Sequence, residues 1–162
     1  MKYKILLMAL TLIVSSCGWQ LRDTQIIPSS IGSIYVSSSN PNSALITELK
    51  RALNTYGVSV ASNSAGADYA VVIVDFRQNH RTASLNASAR VAEYQLNEDV
   101  DFYITDSEGN QITPLSTASV ERVYEFSEDD ILASDNEEKF VRDGMREDIV
   151  RQILNRLRIF PQ

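Results

Sequence analysis

The chain has 162 residues, with 15 basic and 21 acidic side chains, one cysteine and one histidine. This length is enough for one domain with a substantial hydrophobic core that needs no disulfide or metal support. The excess of acidic residues argues against a nucleic-acid partner, because phosphates would be repelled. A single cysteine excludes an internal disulfide framework.

Residues 1–16 are predicted to be a signal peptide for export. Lys2 and Lys4 precede an uncharged, mostly apolar stretch at residues 5–14, which is the layout of a secretory signal. The stretch is shorter than the ~20 apolar residues that a membrane-spanning helix needs. Removing the signal takes both lysines with it and leaves a net charge of −8.

Cys17 is predicted to carry a lipid anchor. Val14-Ser15-Ser16-Cys17 resembles the bacterial lipobox, in which an aliphatic residue and two small residues precede the modified cysteine. Gly18, rather than an aspartate, follows the cysteine, which favours sorting to the outer membrane. The alternative is an ordinary thiol behind a standard signal. We expect residues 17–32 to form the lipid anchor and lead segment, and residues 33–162 to form a single domain.

Hydrophobic periodicity predicts the elements of that domain. In chain order they are a strand at 33–36, a helix at about 43–56, a candidate short strand at 58–61, a strand at 69–74, a long strand at 92–104, a hairpin turn at 107–110, a strand at 117–126 and a helix ending near Arg158. In the long strand, Glu98 falls at an otherwise apolar position of the alternation. These elements predict a two-layer α+β sandwich, with two helices packed on a roughly four-stranded mixed sheet.

Both predicted helices carry an apolar stripe at helical spacing. The first stripe comprises Leu45, Leu49, Ala52, Leu53 and Tyr56, and the second comprises Val141, Met145, Ile149, Ile153 and Leu157. Gly57 is placed to end the first helix. Ser134, followed three residues later by Glu137, predicts a capping box at the start of the second.

No catalytic, cofactor or metal site is recognisable in the sequence. A catalytic His80 would need a nucleophile and an orienting carboxylate from elsewhere in the chain, so a solvated surface histidine is the simpler interpretation. Residues 125–138 hold seven acids and no base, but without the alternating acids and central glycine of a calcium loop. This segment is interpreted as a solvated linker and helix start.

Residues 76–92 are a basic stretch in an otherwise acidic chain. They contain Arg77, His80, Arg81 and Arg90, and no Asp or Glu. If the flanking strands pair as a hairpin, Arg81 and Arg90 approach one another near its tip. Clustered arginines bind phosphate groups well, although charged side chains are also ordinary at strand ends.

Several motifs resemble those of the LptE family of lipopolysaccharide-assembly lipoproteins. The first is Cys17-Gly18-Trp19-Gln20-Leu21-Arg22, soon followed by Pro28. The others are Thr82-Ala83-Ser84 and Ala92-Glu93-Tyr94-Gln95 on the predicted hairpin, and Asp135-Asn136-Glu137 at the predicted start of the last helix. Together they extend over essentially the whole chain after the signal.

The resemblance implies a function without catalysis. LptE proteins sit as a plug inside the outer-membrane β-barrel LptD, assist assembly of that barrel and are reported to bind lipopolysaccharide, which the pair inserts into the outer leaflet. The implied location is the outer membrane, lipid-anchored and facing the periplasm and the barrel lumen. At the hairpin tip, residues 85–89 are small and uncharged where some relatives carry aromatic and basic residues. The candidate lipopolysaccharide-binding residues are therefore Arg77, Arg81 and Arg90.

Two other functional classes stay open. The chain could be an accessory lipoprotein that binds or activates another envelope machine, such as a peptidoglycan synthase or a lipid transporter. It could also be a hydrolase with an unrecognised site. A stoichiometric outer-membrane barrel partner is expected only for the LptE interpretation.

Overall fold

One face of a five-stranded mixed sheet carries both helices in the computed structural model, which describes residues 27–28 and 30–158. The elements in chain order are β1 (Ser33–Ser38), α1 (Ala44–Thr55), β2 (Ser59–Ala61), β3 (Tyr69–Leu85), β4 (Val91–Asp106), β5 (Ser116–Glu125) and α2 (Ile131–Leu157). A short 3₁₀ turn at Ser64–Gly66 precedes β3. The predicted α+β class is confirmed.

The strands lie in the order β2-β1-β3-β4-β5. β1 is parallel to both β2 and β3, whereas β3, β4 and β5 form an antiparallel meander. The sheet has five strands rather than about four, because the short β2 pairs with β1 in the register Ser33↔Ser59. A single core of apolar side chains fills the space between the sheet and the helices.

Local signals in the sequence account for α1. The hydroxyl of Ser43 accepts a hydrogen bond from the backbone N–H of Ile46 at 3.3 Å, which caps the first turn. Gly57 has a φ of +79° just beyond the helix, a conformation that costs glycine little. Leu45 and Leu49 are buried as predicted.

A long hairpin dominates the sheet. β3 and β4 pair from Tyr69↔Asp106 to Leu85↔Val91, so β3 continues well past the predicted end at residue 74. A register shift between Ile73 and Asp75 leaves Val74 half exposed. This shift breaks the two-residue alternation by which a strand is recognised, which explains why the second half of β3 was missed.

The predicted capping box of the last helix is wrong. The side chain of Asp130 caps α2 by accepting the backbone N–H of Ala133 at 3.1 Å. Ser134 is buried in the first turn, where its hydroxyl accepts the N–H of Ser127 at 3.0 Å. An equally good capping residue one turn earlier therefore starts the helix. The stripe of α2 is confirmed, with Met145 and Ile149 fully buried.

The membrane-related predictions fall mostly outside the described residues. These include the signal at 1–16, the lipidation site Cys17 and most of the lead segment at 17–32. Neither described helix combines the length and hydropathy needed to cross a bilayer.

Candidate functional site

The two predicted arginines of β3 lie on the sheet face opposite the helices. Arg77 pairs in register with Asp99, and Arg81 pairs with Gln95. Asp99 and Gln95 alternate along β4 with buried residues such as Val100, so their side chains face away from the core. Residues paired across neighbouring strands share a face of the sheet. The structure therefore brings Arg77 and Arg81 onto one surface.

Two carboxylates hold Arg77. Its Nη1 atom lies 2.7 Å from an oxygen of Asp75 and 2.5 Å from an oxygen of Asp101. The hydroxyl of Thr117 donates a further hydrogen bond to Asp101 at 2.7 Å. Hydrogen bonds from Arg77 and Thr117 lower the pKa of Asp101 to about 2, and the two carboxylates raise the pKa of Arg77. Much of the Arg77 charge is thus already neutralised within the sheet.

Arg81 is held more loosely. Its Nε donates to Oε1 of Gln95 at 2.7 Å, and its Nη2 is 3.6 Å from a carboxylate oxygen of Glu121 on β5. The side chain remains 66% exposed, compared with 43% for Arg77. Of these two arginines, Arg81 is the one more available to a ligand.

Asn86 closes the hairpin tip and fixes the position of Arg90. Its side-chain oxygen accepts hydrogen bonds from the backbone N–H groups of Ser88 at 2.9 Å and Arg90 at 3.1 Å. The Nη1 atom of Arg90 lies 3.1 Å from a carboxylate oxygen of Glu128, which precedes α2. Arg90 is therefore exposed at the tip, with one ion pair to the neighbouring loop.

The structure does not bring Arg81 next to Arg90. The register places Arg81 opposite Gln95, five residues along the chain from Arg90, which is roughly 16 Å of extended strand. The expected approach of the two arginines is therefore wrong, because the strands pair as far as Leu85↔Val91 and carry the tip beyond Arg81.

A second polar cluster, which sequence reasoning missed, lies between the hairpin and α2. Glu98 is fully buried on the helix-facing side of β4. Its Oε1 accepts hydrogen bonds from Nε2 of Gln78 at 2.7 Å and from Nη1 of Arg142 at 3.1 Å. Its Oε2 has no hydrogen-bond partner among the described residues. The available signal was the acidic residue at an apolar position of the strand.

Arg142 extends this cluster along α2 and onto β5. Its Nε donates to Glu138 at 2.8 Å, and the hydroxyl of Tyr124 donates to the other oxygen of Glu138 at 2.7 Å. Burial would raise the pKa of Glu138, but the two hydrogen bonds together with the nearby positive charge hold the pKa below its ordinary value. Burial and the contact with Glu138 raise the pKa of the Tyr124 phenol. The cluster therefore fixes charged groups in place, joining α2 to β3, β4 and β5.

His80 is exposed, as predicted, but its ring is packed. The ring centroids of His80 and Tyr94 are 4.3 Å apart in an edge-on arrangement, and Nε2 lies 3.4 Å from the hydroxyl oxygen of Tyr124. These contacts hold the outer part of β3 against β4 and β5.

The acids of residues 125–138 are not simply a solvated linker. Asp130 caps α2, Glu128 pairs with Arg90 and Glu138 belongs to the buried cluster. Within residues 27–28 and 30–158, no group of three His, Cys, Asp or Glu side chains is placed to hold a metal ion.

Comparison with known proteins places this fold among lipoproteins. Residues 31–157 match the family model LptE, described as lipopolysaccharide-assembly. A relative from Photorhabdus laumondii, named LPS-assembly lipoprotein LptE, is 25% identical over 160 residues, which cover 97% of this chain and 87% of the relative. A relative of the same name from Pectobacterium atrosepticum is 26% identical over 147 residues, covering 90% of this chain and 79% of the relative.

Solved structures of lipoproteins share the fold. Lipoprotein B from Nitrosomonas europaea superposes with a TM-score of 0.72 at 24% identity, covering 85% of this chain and 88% of that chain. A minor lipoprotein from Acinetobacter baumannii gives a TM-score of 0.65 at 22% identity, covering 81% of this chain and 93% of that chain. The family match includes both described helices and all five described strands.

Proposed function

Because the chain belongs to the LptE family of lipopolysaccharide-assembly lipoproteins, we propose that it is the plug and assembly partner of an outer-membrane β-barrel of the LptD type. In this role it assists insertion of lipopolysaccharide into the outer leaflet, and it catalyses no reaction. The observation that carries the proposal is the family match over residues 31–157, which spans the folded domain from β1 to α2.

The chemistry of the open sheet face supports a plug. Apart from apolar side chains such as the exposed Val123, the outer part of this face, opposite the helices, carries polar side chains that hydrogen-bond to one another, including Ser119 with Asp99 at 2.6 Å and Thr117 with Asp101 at 2.7 Å. The lumen of a large outer-membrane barrel is polar, whereas its outer surface is apolar. A surface that is mostly polar and hydrogen-bonded suits the lumen better than contact with lipid chains.

The proposed anchor is a lipid on Cys17, after cleavage of residues 1–16. The lipobox-like Val14-Ser15-Ser16-Cys17 supports it, and attachment through several acyl chains would hold the domain at the periplasmic face of the outer membrane. An unmodified thiol at Cys17 in the mature protein, seen by mass spectrometry, would contradict this anchor.

Within the proposed function, Arg81 and Arg90 are the candidates to bind phosphates of lipopolysaccharide. Their side chains are 66% and 56% exposed, and both lie on the outer part of the hairpin, beyond the last residue of β3 that pairs with β1. Arg77 is a weaker third candidate because Asp75 and Asp101 already occupy its guanidinium. Since Arg81 and Arg90 are well separated, they would contact different phosphates or different molecules.

Depletion of the protein is expected to leave newly made lipopolysaccharide below the outer leaflet. Cells should then become permeable to bulky hydrophobic antibiotics, because the outer leaflet loses its barrier lipid. Surface labelling of lipopolysaccharide and antibiotic susceptibility during depletion measure this result. Normal labelling and susceptibility throughout depletion would contradict the proposal.

Replacing both arginines, Arg81→Ala with Arg90→Ala, is expected to weaken lipopolysaccharide binding about tenfold. Charge-assisted hydrogen bonds contribute about 1.5–3 kcal/mol each, so loss of two exposed ones accounts for at least that factor. Binding of purified protein to immobilised lipopolysaccharide measures the effect, and circular dichroism checks the fold.

The matched control for this pair is Arg51→Ala with Arg151→Ala. These residues also form exposed surface ion pairs, with side chains 69% and 60% exposed, but they lie on α1 and α2. The control removes the same charge and should leave binding unchanged. Equal loss from both double variants would show bulk electrostatics rather than a site on the hairpin.

A further inference from the structure

Hydrogen bonds of β5 show which of its residues direct their backbone N–H and C=O groups toward β4 and which direct them outward. The backbone N–H of Phe126, just past the strand, donates to the carbonyl of Ala92 at 2.9 Å, so even-numbered residues face β4. Ser119 instead exchanges two hydrogen bonds with the side chain of Gln152 on α2, at 3.2 and 3.0 Å. Odd-numbered residues of β5 therefore direct their N–H and C=O groups away from the sheet.

This outer edge is covered at a few backbone groups in its first half and is open in its second half. Gln152 covers Ser119, and Nη1 of Arg122 covers the carbonyl of Glu121 at 3.0 Å. The outward groups of Val123 and Glu125 have no hydrogen-bond partner in the part of the chain that the structure describes. Natural sheets usually protect such an edge, because unpaired backbone groups pair readily with another strand.

A groove of about 910 Å³ runs beside the open half, between the end of β5 and the first turns of α2. Its lining includes Glu93, Glu125, Asp130 and Glu137, and no Lys, Arg or His. A strand added to the edge would place its side chains beside these acids. The groove therefore favours a partner segment with basic side chains.

We propose that the outer edge of β5 at Val123 and Glu125 accepts an extended, lysine- or arginine-bearing segment of a partner protein as an added strand. Backbone hydrogen bonds to these two residues hold the segment, and its basic side chains contact the acidic groove. This mode of recognition obtains affinity from the main chain and selectivity from the flanking side chains. This binding site is independent of the β-barrel partner proposed above.

The charge of the β5 edge favours a basic partner segment over a second copy of this chain. Two copies of β5 paired edge to edge would bring the strand that bears Glu121 and Glu125 beside the acidic groove of the second copy, which like charges disfavour. The outer part of β3 is also free of β1 beyond Ile73, but it carries the more exposed cation Arg81, which would repel a basic strand. The acidic β5 edge is therefore the place for a basic segment.

The test mixes the full chain in detergent with a fluorescent peptide of alternating lysine and valine. Fluorescence anisotropy measures binding of the peptide, and amide hydrogen exchange measures protection of the chain. The peptide should bind, and it should slow exchange of the Val123 and Glu125 amides. Val123→Pro removes one outward N–H without removing a bond to β4, as proline at a sheet edge allows. It should weaken binding about tenfold or more, whereas Val123→Thr, which keeps the N–H, should not.

A charge-reversal pair tests the groove without relying on proline. Glu125→Lys with Glu137→Lys should also weaken binding about tenfold, and Glu108→Lys with Glu147→Lys, equal in charge and outside the groove lining, should not. Several results would overturn the proposal. The peptide could fail to bind, or it could bind Val123→Pro as tightly as the wild type. Both charge-reversal pairs could weaken peptide binding equally, or the chain could form a dimer that Val123→Pro dissociates.

Discussion

Met145→Asp is expected to leave the domain unfolded. Met145 is fully buried in the stripe of α2, within the core that joins this helix to the sheet. An aspartate there loses the apolar contacts and must also place an unpaired carboxyl group in an apolar environment. Burying a charge without a partner costs several kcal/mol, and the total stability of such a domain is only about 5–15 kcal/mol. Thermal melts followed by circular dichroism measure the loss.

Phe140→Asp is the matched control for Met145→Asp. Phe140 lies on the same helix but is 74% exposed, so the same kind of substitution removes little buried surface. Its effect should stay within about 0.5 kcal/mol, as is usual for surface positions. If Met145→Asp melted like the wild type, the assignment of the buried helix face would be wrong.

Arg142→Met is expected to destabilise the domain by about 3–5 kcal/mol, because it leaves a buried charge without its ionic partner. Glu98 has no solvent exposure, and one of its oxygens already lacks a partner among the described residues. After the substitution, the amide of Gln78 would be its remaining hydrogen-bond donor. Chemical denaturation with urea measures the free energy of unfolding.

Two further variants separate the buried charge from the loss of a long side chain. Adding Glu98→Gln to Arg142→Met removes the uncompensated charge and should recover much of the stability, as coupled sites do in double-mutant cycles. Arg151→Met removes an exposed ion pair with Asp148 from the same helix and should cost no more than about 1 kcal/mol. Equal effects of Arg142→Met and Arg151→Met would contradict the buried network.

The sequence predicts well those elements whose signals are local. In α1, the capping Ser43, the leucines spaced along one face and the terminal Gly57 all point to the same helix, and the structure agrees. The stripe of α2 and the alternation of β4 are equally clear, because each element buries one face against a single core.

Features that depend on distant partners were harder to predict. The outer half of β3 is polar on both faces, and it is a strand because β4 pairs with it beyond the register shift near Val74. Asp130 and Ser134 were both plausible caps for α2, and packing of Ser134 against Ser127 decides between them. In each case tertiary contacts select among locally acceptable alternatives.

Contacts between polar groups that are far apart in the sequence were equally hard to predict. Glu98 could be recognised as an exception on an apolar strand face, but its partner Arg142 is 44 residues away along the chain. The basic composition of residues 76–92 was evident, yet apart from Asp75 their carboxylate partners lie on β4, β5 and the loop before α2. Composition alone therefore overstated the free positive charge of the hairpin.

Purification of the lipidated full-length chain from detergent-solubilised outer membrane tests the proposed function most directly. One large β-barrel protein is expected to co-purify in a one-to-one ratio with the chain, and the ratio should persist through size exclusion. Recovery of the chain alone, or in a stoichiometric complex with a peptidoglycan synthase or a lipid transporter in place of a barrel, would contradict the proposed function.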